Sequence, residues 1–102
     1  MSPTQLTLRE LRKQGYTAAV VEKWNPHAHI RQDLFGCIDV LAVGNGETIG
    51  VQCTSYKNVS SRVKKMADAD AIGDLREAGW TLVVHGWAKV QGRWKCRSIN
   101  VS

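Results

Sequence analysis

The sequence predicts an α/β fold: one central mixed β-sheet with two helices packed on it, in a single domain spanning residues 1–102. Three observations carry that expectation. Stretches with helical apolar spacing alternate with stretches rich in β-branched and aromatic residues. Gly44-Asn45-Gly46 is the strongest short hairpin signal in the chain. Gly15 and Gly79 stand where two helices need a left-handed stop.

The first helix starts at Ser2-Pro3-Thr4-Gln5. Serine can cap, proline suits the first helical position, and glutamine sits where a capping box wants it. Leu8 and Leu11 supply its apolar stripe, and Gly15 ends it after Gln14. Tyr16 to Trp24 reads as a strand, and the polar, proline-containing Asn25 to Gln32 as a loop. Leu34 to Val43 is nearly all apolar and predicts a buried strand, with Glu47 to Thr54 returning beside it after the turn. Ser60 can cap a second helix running to Ala78, on which Val63, Met66, Ala67, Ala71 and Leu75 fall near helical spacing. Thr81 to Trp87 is a fourth strand, and Gln91-Gly92 turns the chain into a last one, Arg93 to Val101. The expected order is αβββαββ.

Hydrophobic residues at 43% and charged residues at 23% describe a chain that folds around a core, not a disordered tail. The net charge of +5 favours polyanionic partners, nucleic acid first and an acidic membrane surface second. The apolar runs are too short for a membrane span, and Met1-Ser2-Pro3-Thr4 lacks the layout of a secretory signal. Cys37, Cys53 and Cys96 are odd in number with no CxxC pair, as expected of reduced thiols in a cytoplasmic protein.

Asp39 is the informative oddity. Every neighbour in Leu34 to Val43 wants burial, and an unpartnered buried carboxylate costs several kcal/mol or more, on the order of its lost hydration. If Asn45-Gly46 forms a two-residue turn, Gly44 pairs with Glu47, and counting back sets Asp39 opposite Gln52. Alternation then gathers Cys37, Asp39, Gln52 and Thr54 on one face. Opposed Cβ atoms lie roughly 5 Å apart, so two side-chain oxygens there can share one cation. Oxygen donors suit Mg²⁺ or Mn²⁺ better than zinc. The plain structural alternative is that Asp39 and Gln52 hydrogen-bond each other inside the sheet.

A helix, a strand, then a hairpin bearing Gly36-x-x-Asp39 and Val51-Gln52-x-Thr54, followed by helix and strand, resembles the PD-(D/E)XK nuclease superfamily. That superfamily includes restriction endonucleases and Holliday-junction resolvases. The resemblance implies a restriction-endonuclease-like core and metal-dependent hydrolysis of DNA phosphodiesters, directed by DNA structure as in resolvases. It implies that Asp39 and Gln52 bind Mg²⁺ or Mn²⁺, that the Cys53 backbone carbonyl assists, and that Thr54 stands where the family has its lysine. Glutamine for glutamate keeps an oxygen ligand; threonine for lysine removes a positive charge, which Lys57 could restore by reaching back. Glu22, an acid interrupting an apolar strand, is the expected third ligand. Glu10 is the second choice, the resolvase position falls nearer Gln5, and Asp33 is either a supporting ligand or a turn residue.

Around this core Arg31, Lys57, Arg62, Lys64 and Lys65 are expected to hold the DNA backbone. Trp24, Trp80, Trp87 and Trp94 are expected in core or edge packing, and His85 as a packed strand residue. His27, His29 and Cys37 do not have zinc spacing. By analogy with resolvases, a homodimer would let two sites address two strands. Two other readings stay open: a DNA-binding relative that has lost catalysis, and a protein-interaction domain of no enzymatic kind.

Overall fold

A computed structural model describes residues 1–102 and shows an α/β fold built on a five-stranded mixed sheet. Helix α1 (Pro3–Lys13) begins as its sequence dictates: the Ser2 hydroxyl accepts the Gln5 N–H at 3.2 Å, with proline in the first turn. Gly15, at φ +96°, turns the chain out of it. Strand β1 (Thr17–Val20) follows, and a separate two-stranded ribbon, β2 (Lys23–Asn25) with β3 (Ile30–Gln32), stands off the main sheet. Strands β4 (Val40–Gly44) and β5 (Glu47–Ser55) form the hairpin around Asn45-Gly46. A 3₁₀ turn (Tyr56–Asn58) leads into α2 (Val59–Ala67) and α3 (Ile72–Glu77), and β6 (Thr81–Val90) and β7 (Arg93–Asn100) complete the chain.

The sheet order is β1-β4-β5-β6-β7, antiparallel throughout except for the parallel β5–β6 pair. That pair needs a crossover, which α2 and α3 supply. The sheet is therefore covered on both faces. Leu8 and Leu11 of α1 pack with Val40, Ala42, Ile49 and Val51 on one side. Val59, Met66 and Leu75 pack with Ile38, Leu82 and Val84 on the other. No helix is long and apolar enough to cross a membrane.

Four expected elements differ from those observed. The strand expected over Tyr16–Trp24 breaks after Val20, whose partner Val40 is the first residue of β4, so the chain beyond has no strand to pair with. It pairs instead with residues of the expected loop Asn25–Gln32, giving β2 and β3. The strand expected over Leu34–Val43 is only half strand. Phe35 and Gly36, at φ +54° and +74°, make a tight turn closed by a Leu34–Ile38 bridge, and regular pairing starts at Val40. The apolar run reports burial, which a turn beneath helices requires as much as a strand does.

The single helix expected over Ser60–Ala78 is two. Met66 and Leu75 are nine residues apart, half a turn out of phase on a continuous helix. Ending α2 at Ala67 and restarting at Ile72 lets both reach the same core, and Asp68 and Asp70 are weak helix formers that favour the break. The resulting order is αβββββααββ rather than αβββαββ.

Gly86 locks the crossover to the sheet. A Cβ there would lie 2.1 Å from Val59 Cγ2 and 3.2 Å from the Tyr56 Cα, so β6 runs directly against the backbone of the 3₁₀ turn and the first side chain of α2. Gly86→Ala should lower stability by at least about 2 kcal/mol, through overpacking against atoms that cannot move aside. Urea denaturation followed by circular dichroism measures it.

Candidate metal centre

Backbone bonds on both sides fix Asp39. Its N–H donates to the Val51 carbonyl at 2.8 Å, and its own carbonyl accepts the Val21 N–H at 2.8 Å. The hairpin register runs from Gly44–Glu47 to Val40–Val51 and stops there; Asp39 lies just past its end, next to Gln52 on the neighbouring strand. Their side chains meet. Gln52 Nε2 and, at 2.9 Å, the Cys53 N–H both donate to Asp39 Oδ2. The plain alternative of an Asp39–Gln52 hydrogen bond is thus present, but it does not account for the whole arrangement.

Two further facts go beyond it. Carboxylate oxygens of Glu22, Asp33 and Asp39 all lie within 4.8 Å of one another. Gln52, 1% exposed, leaves its Oε1 buried with no hydrogen-bond partner. An unsatisfied buried acceptor costs about 1–3 kcal/mol. Turning the amide over would set Oε1 against Asp39 Oδ2, which is repulsive unless a proton or a cation lies between them. In either orientation an oxygen wants a positive partner.

These groups line a cleft of about 610 Å³ that also includes Thr4, Gly36, Cys53 and the cations Arg31, Arg62 and Lys65. Lys65 Nζ lies 2.7 Å from Asp33, and Arg31 approaches Glu22 at 3.8 Å. Burial, then the hydrogen bond with Asp33, pushes the Asp39 carboxyl up to about 7. Burial also acts to raise Asp33, but its bonds with Asp39 and Lys65 outweigh it and hold Asp33 below the usual carboxylate range. The shifts have opposite signs: of the two carboxyls, Asp39 is the one that keeps its proton to higher pH.

The pH dependence follows from these directions. Between the ordinary aspartate value of 3.8 and about 7, Asp39 binds a proton in the folded chain and not in the unfolded one. Stability of the metal-free protein therefore falls as pH rises across that window. Asp33 acts in the opposite sense, but only as pH falls through its depressed value, below the window. Thermal melting in chelator should show a midpoint that drops from pH 5 to pH 7.5, and Asp39→Asn should flatten that slope.

The expected site residues divide. Glu22, Asp39 and Gln52 come together as expected, and Asp33 joins them: its carbonyl accepts the Gly36 N–H at 3.0 Å in the turn while its carboxylate enters the cluster. Because a strand's N–H and C=O point the same way, the Cys53 carbonyl faces the side on which its N–H meets Asp39. Its thiol is pushed up to about 12, chiefly by burial.

Thr54 is buried against the α2 side and does not line the cleft, and neither does Lys57, exposed on the 3₁₀ turn. The cleft's lysine is Lys65, whose position on α2 follows from the turn into that helix and not from spacing along β5. Glu10 belongs to a different surface, lining two smaller cavities and accepting from Gln14 at 3.1 Å, and Gln5 is exposed outside the cleft. Among the expected DNA-holding cations Arg31, Arg62 and Lys65 line the cleft; Lys64 instead pairs with Asp68 at 2.9 Å on the exposed helix face.

His85 packs as expected, 3.2 Å from the Thr7 hydroxyl, which also accepts the Trp87 indole N–H at 2.9 Å. Burial holds its imidazole below the ordinary value. Trp87 is buried and Trp80 and Trp94 half-buried, but Trp24 is 55% exposed, against expectation. Comparison with protein-family models, curated proteins and solved structures finds no match.

Proposed function

We propose that this chain is a metal-dependent DNA endonuclease with a PD-(D/E)XK-like site. It would hydrolyse phosphodiester bonds at positions marked by DNA structure, not by a long base sequence. The observation that carries the proposal is the gathering of the Glu22, Asp33 and Asp39 carboxylates in a cleft that Gln52, whose buried Oε1 has no partner, and three cations also line. Lys65 and Arg31 offset part of the charge on Asp33 and Glu22, and a hard divalent ion would relieve the repulsion that remains while offering the amide oxygen a partner.

An all-oxygen donor set fits Mg²⁺ or Mn²⁺. Glu22, Asp33 and Asp39 would hold the ion, with Gln52 Oε1 and the Cys53 carbonyl completing it. When bound, such an ion polarises the phosphate and lowers the pKa of a coordinated water. The chain's own residues do the remainder. Arg31 and Arg62 are placed to seat the phosphate backbone. Lys65, in the cleft where Thr54 and Lys57 are not, supplies the positive charge that position-by-position correspondence with the family lacks. Water adds to phosphorus, the bond to the leaving oxygen breaks, and a phosphomonoester and a hydroxyl result.

A second reading, a DNA-binding relative that does not cut, draws on Thr54 at the family's lysine position and on Lys65 being engaged by Asp33. Supercoiled and branched DNA incubated with Mg²⁺ or Mn²⁺ separates the two. Nicking that chelator abolishes supports the endonuclease; retention of DNA without strand breaks in either metal favours the second reading.

A further inference from the structure

The β2–β3 ribbon carries an aromatic side chain that folding leaves unused. Its residues are exposed throughout except for half-buried Asn25. Trp24 at 55% and Ile30 at 51% are among the most exposed large apolar residues of the chain. Core packing therefore gives no reason for a tryptophan there. The ribbon is nonetheless held in one shape: the Asn25 carboxamide oxygen accepts the N–H groups of His27 and Ala28 at 3.0 and 3.1 Å, and His29 meets the Trp24 ring edge-on.

Its position gives the indole a use. Trp24 pairs directly with Arg31, so the two side chains share one face of the ribbon. Arg31 lines the metal cleft and approaches Glu22, which lies two residues before Trp24. An exposed indole thus stands next to the cleft, on the ribbon face it shares with the cleft-lining Arg31. Cations that follow a sugar-phosphate backbone, combined with an aromatic face, make a stacking platform for a base. In an intact duplex each base is already stacked on its neighbours and presents only its edges.

Resting on the endonuclease reading, we infer that Trp24 receives an unpaired base next to the bond to be cut, so that the substrate is DNA with single-stranded character at the cleavage site: a flap, a junction or a free strand. Stacking on Trp24 selects that structure, and Arg31 holds the adjoining phosphate.

The test compares a fluorescein-labelled single-stranded oligonucleotide with the duplex of the same sequence, bound in Ca²⁺ and followed by fluorescence anisotropy. Trp24→Ala should weaken single-strand binding about tenfold or more, and Trp24→Phe, which keeps a ring, should recover most of it. Duplex affinity should be the same for all three proteins. Because the side chain is exposed, both variants should melt where the unaltered protein does, and that melting point is the folding control. Equal weakening on both probes, or no weakening on either, overturns the inference and leaves the endonuclease proposal standing. Failure of the unaltered protein to bind either probe overturns the endonuclease proposal itself.

Discussion

Asp39→Asn should lower metal-dependent DNA cleavage by about 10³-fold or more, the rate equivalent of losing several kcal/mol of metal-borne charge stabilisation. The same substitution should leave the metal-free protein at least as stable at neutral pH. The two effects have one source. Asp39 is 4% exposed, its carboxyl is pushed up to about 7, and Glu22 and Asp33 stand against it, so its charge is a cost to the folded chain until a cation arrives. An amide of nearly the same shape removes that cost and keeps an oxygen that can accept the Cys53 N–H. It also removes the charge that would hold the ion. Rate by plasmid nicking and stability by thermal melting, with and without Mg²⁺, give both halves. The unaltered protein should gain melting temperature on adding the ion, and the variant should gain little. Asp39→Ala is the harsher change, since it strands Gln52 Nε2 and the Cys53 N–H without an acceptor.

Lys65→Ala should reduce the cleavage rate about 10²-fold, the usual scale for losing one well-placed group that stabilises transition-state charge. Lys57→Ala should change it little. Position along the sequence favours the opposite outcome, because Lys57 lies three residues from the family's lysine position. Geometry reverses the order: Lys57 is exposed on the turn before α2, whereas Lys65 reaches the cleft and Asp33. Lys65→Ala also frees Asp33 from its partner, so metal affinity has to be measured beside the rate. Titration calorimetry with Mn²⁺ should show binding retained in Lys65→Ala and lost in Asp39→Asn. That split separates a group acting on the reaction from one that holds the ion.

Much of this site was legible in the sequence because a hairpin converts spacing into register. Gly44-Asn45-Gly46 sets the turn, the turn sets Gly44 against Glu47, and the register so fixed runs to Val40–Val51, leaving Asp39 at its end where its side chain meets Gln52. Glu22 was legible for a related reason: an acid that breaks the apolar run Ala18 to Val21 must face something that accepts charge. What stayed hidden depends on contacts that local pattern does not encode. The chain from Leu34 to Val43 is apolar whether it runs straight or turns at Phe35-Gly36, and only the turn brings Asp33 to Asp39. Lys65 and Lys64 are adjacent and alike in sequence, yet they leave α2 in different directions, one to Asp33 and one to Asp68. The break between α2 and α3 was recoverable, since Met66 and Leu75 are out of phase on one helix. Trp24 was not, because its exposure arises where β1 loses its partner at Val40 and the chain leaves the sheet.

The most direct measurement is a crystal structure of the protein soaked in Mn²⁺, with the ion located by anomalous scattering. The proposal predicts a peak bounded by the carboxylates of Glu22, Asp33 and Asp39, with Gln52 Oε1 turned toward it and ligand distances of roughly 2.1–2.2 Å, slightly longer than for Mg²⁺. A cleft that stays empty at saturating Mn²⁺, with the ion absent or seated on other residues, would contradict it.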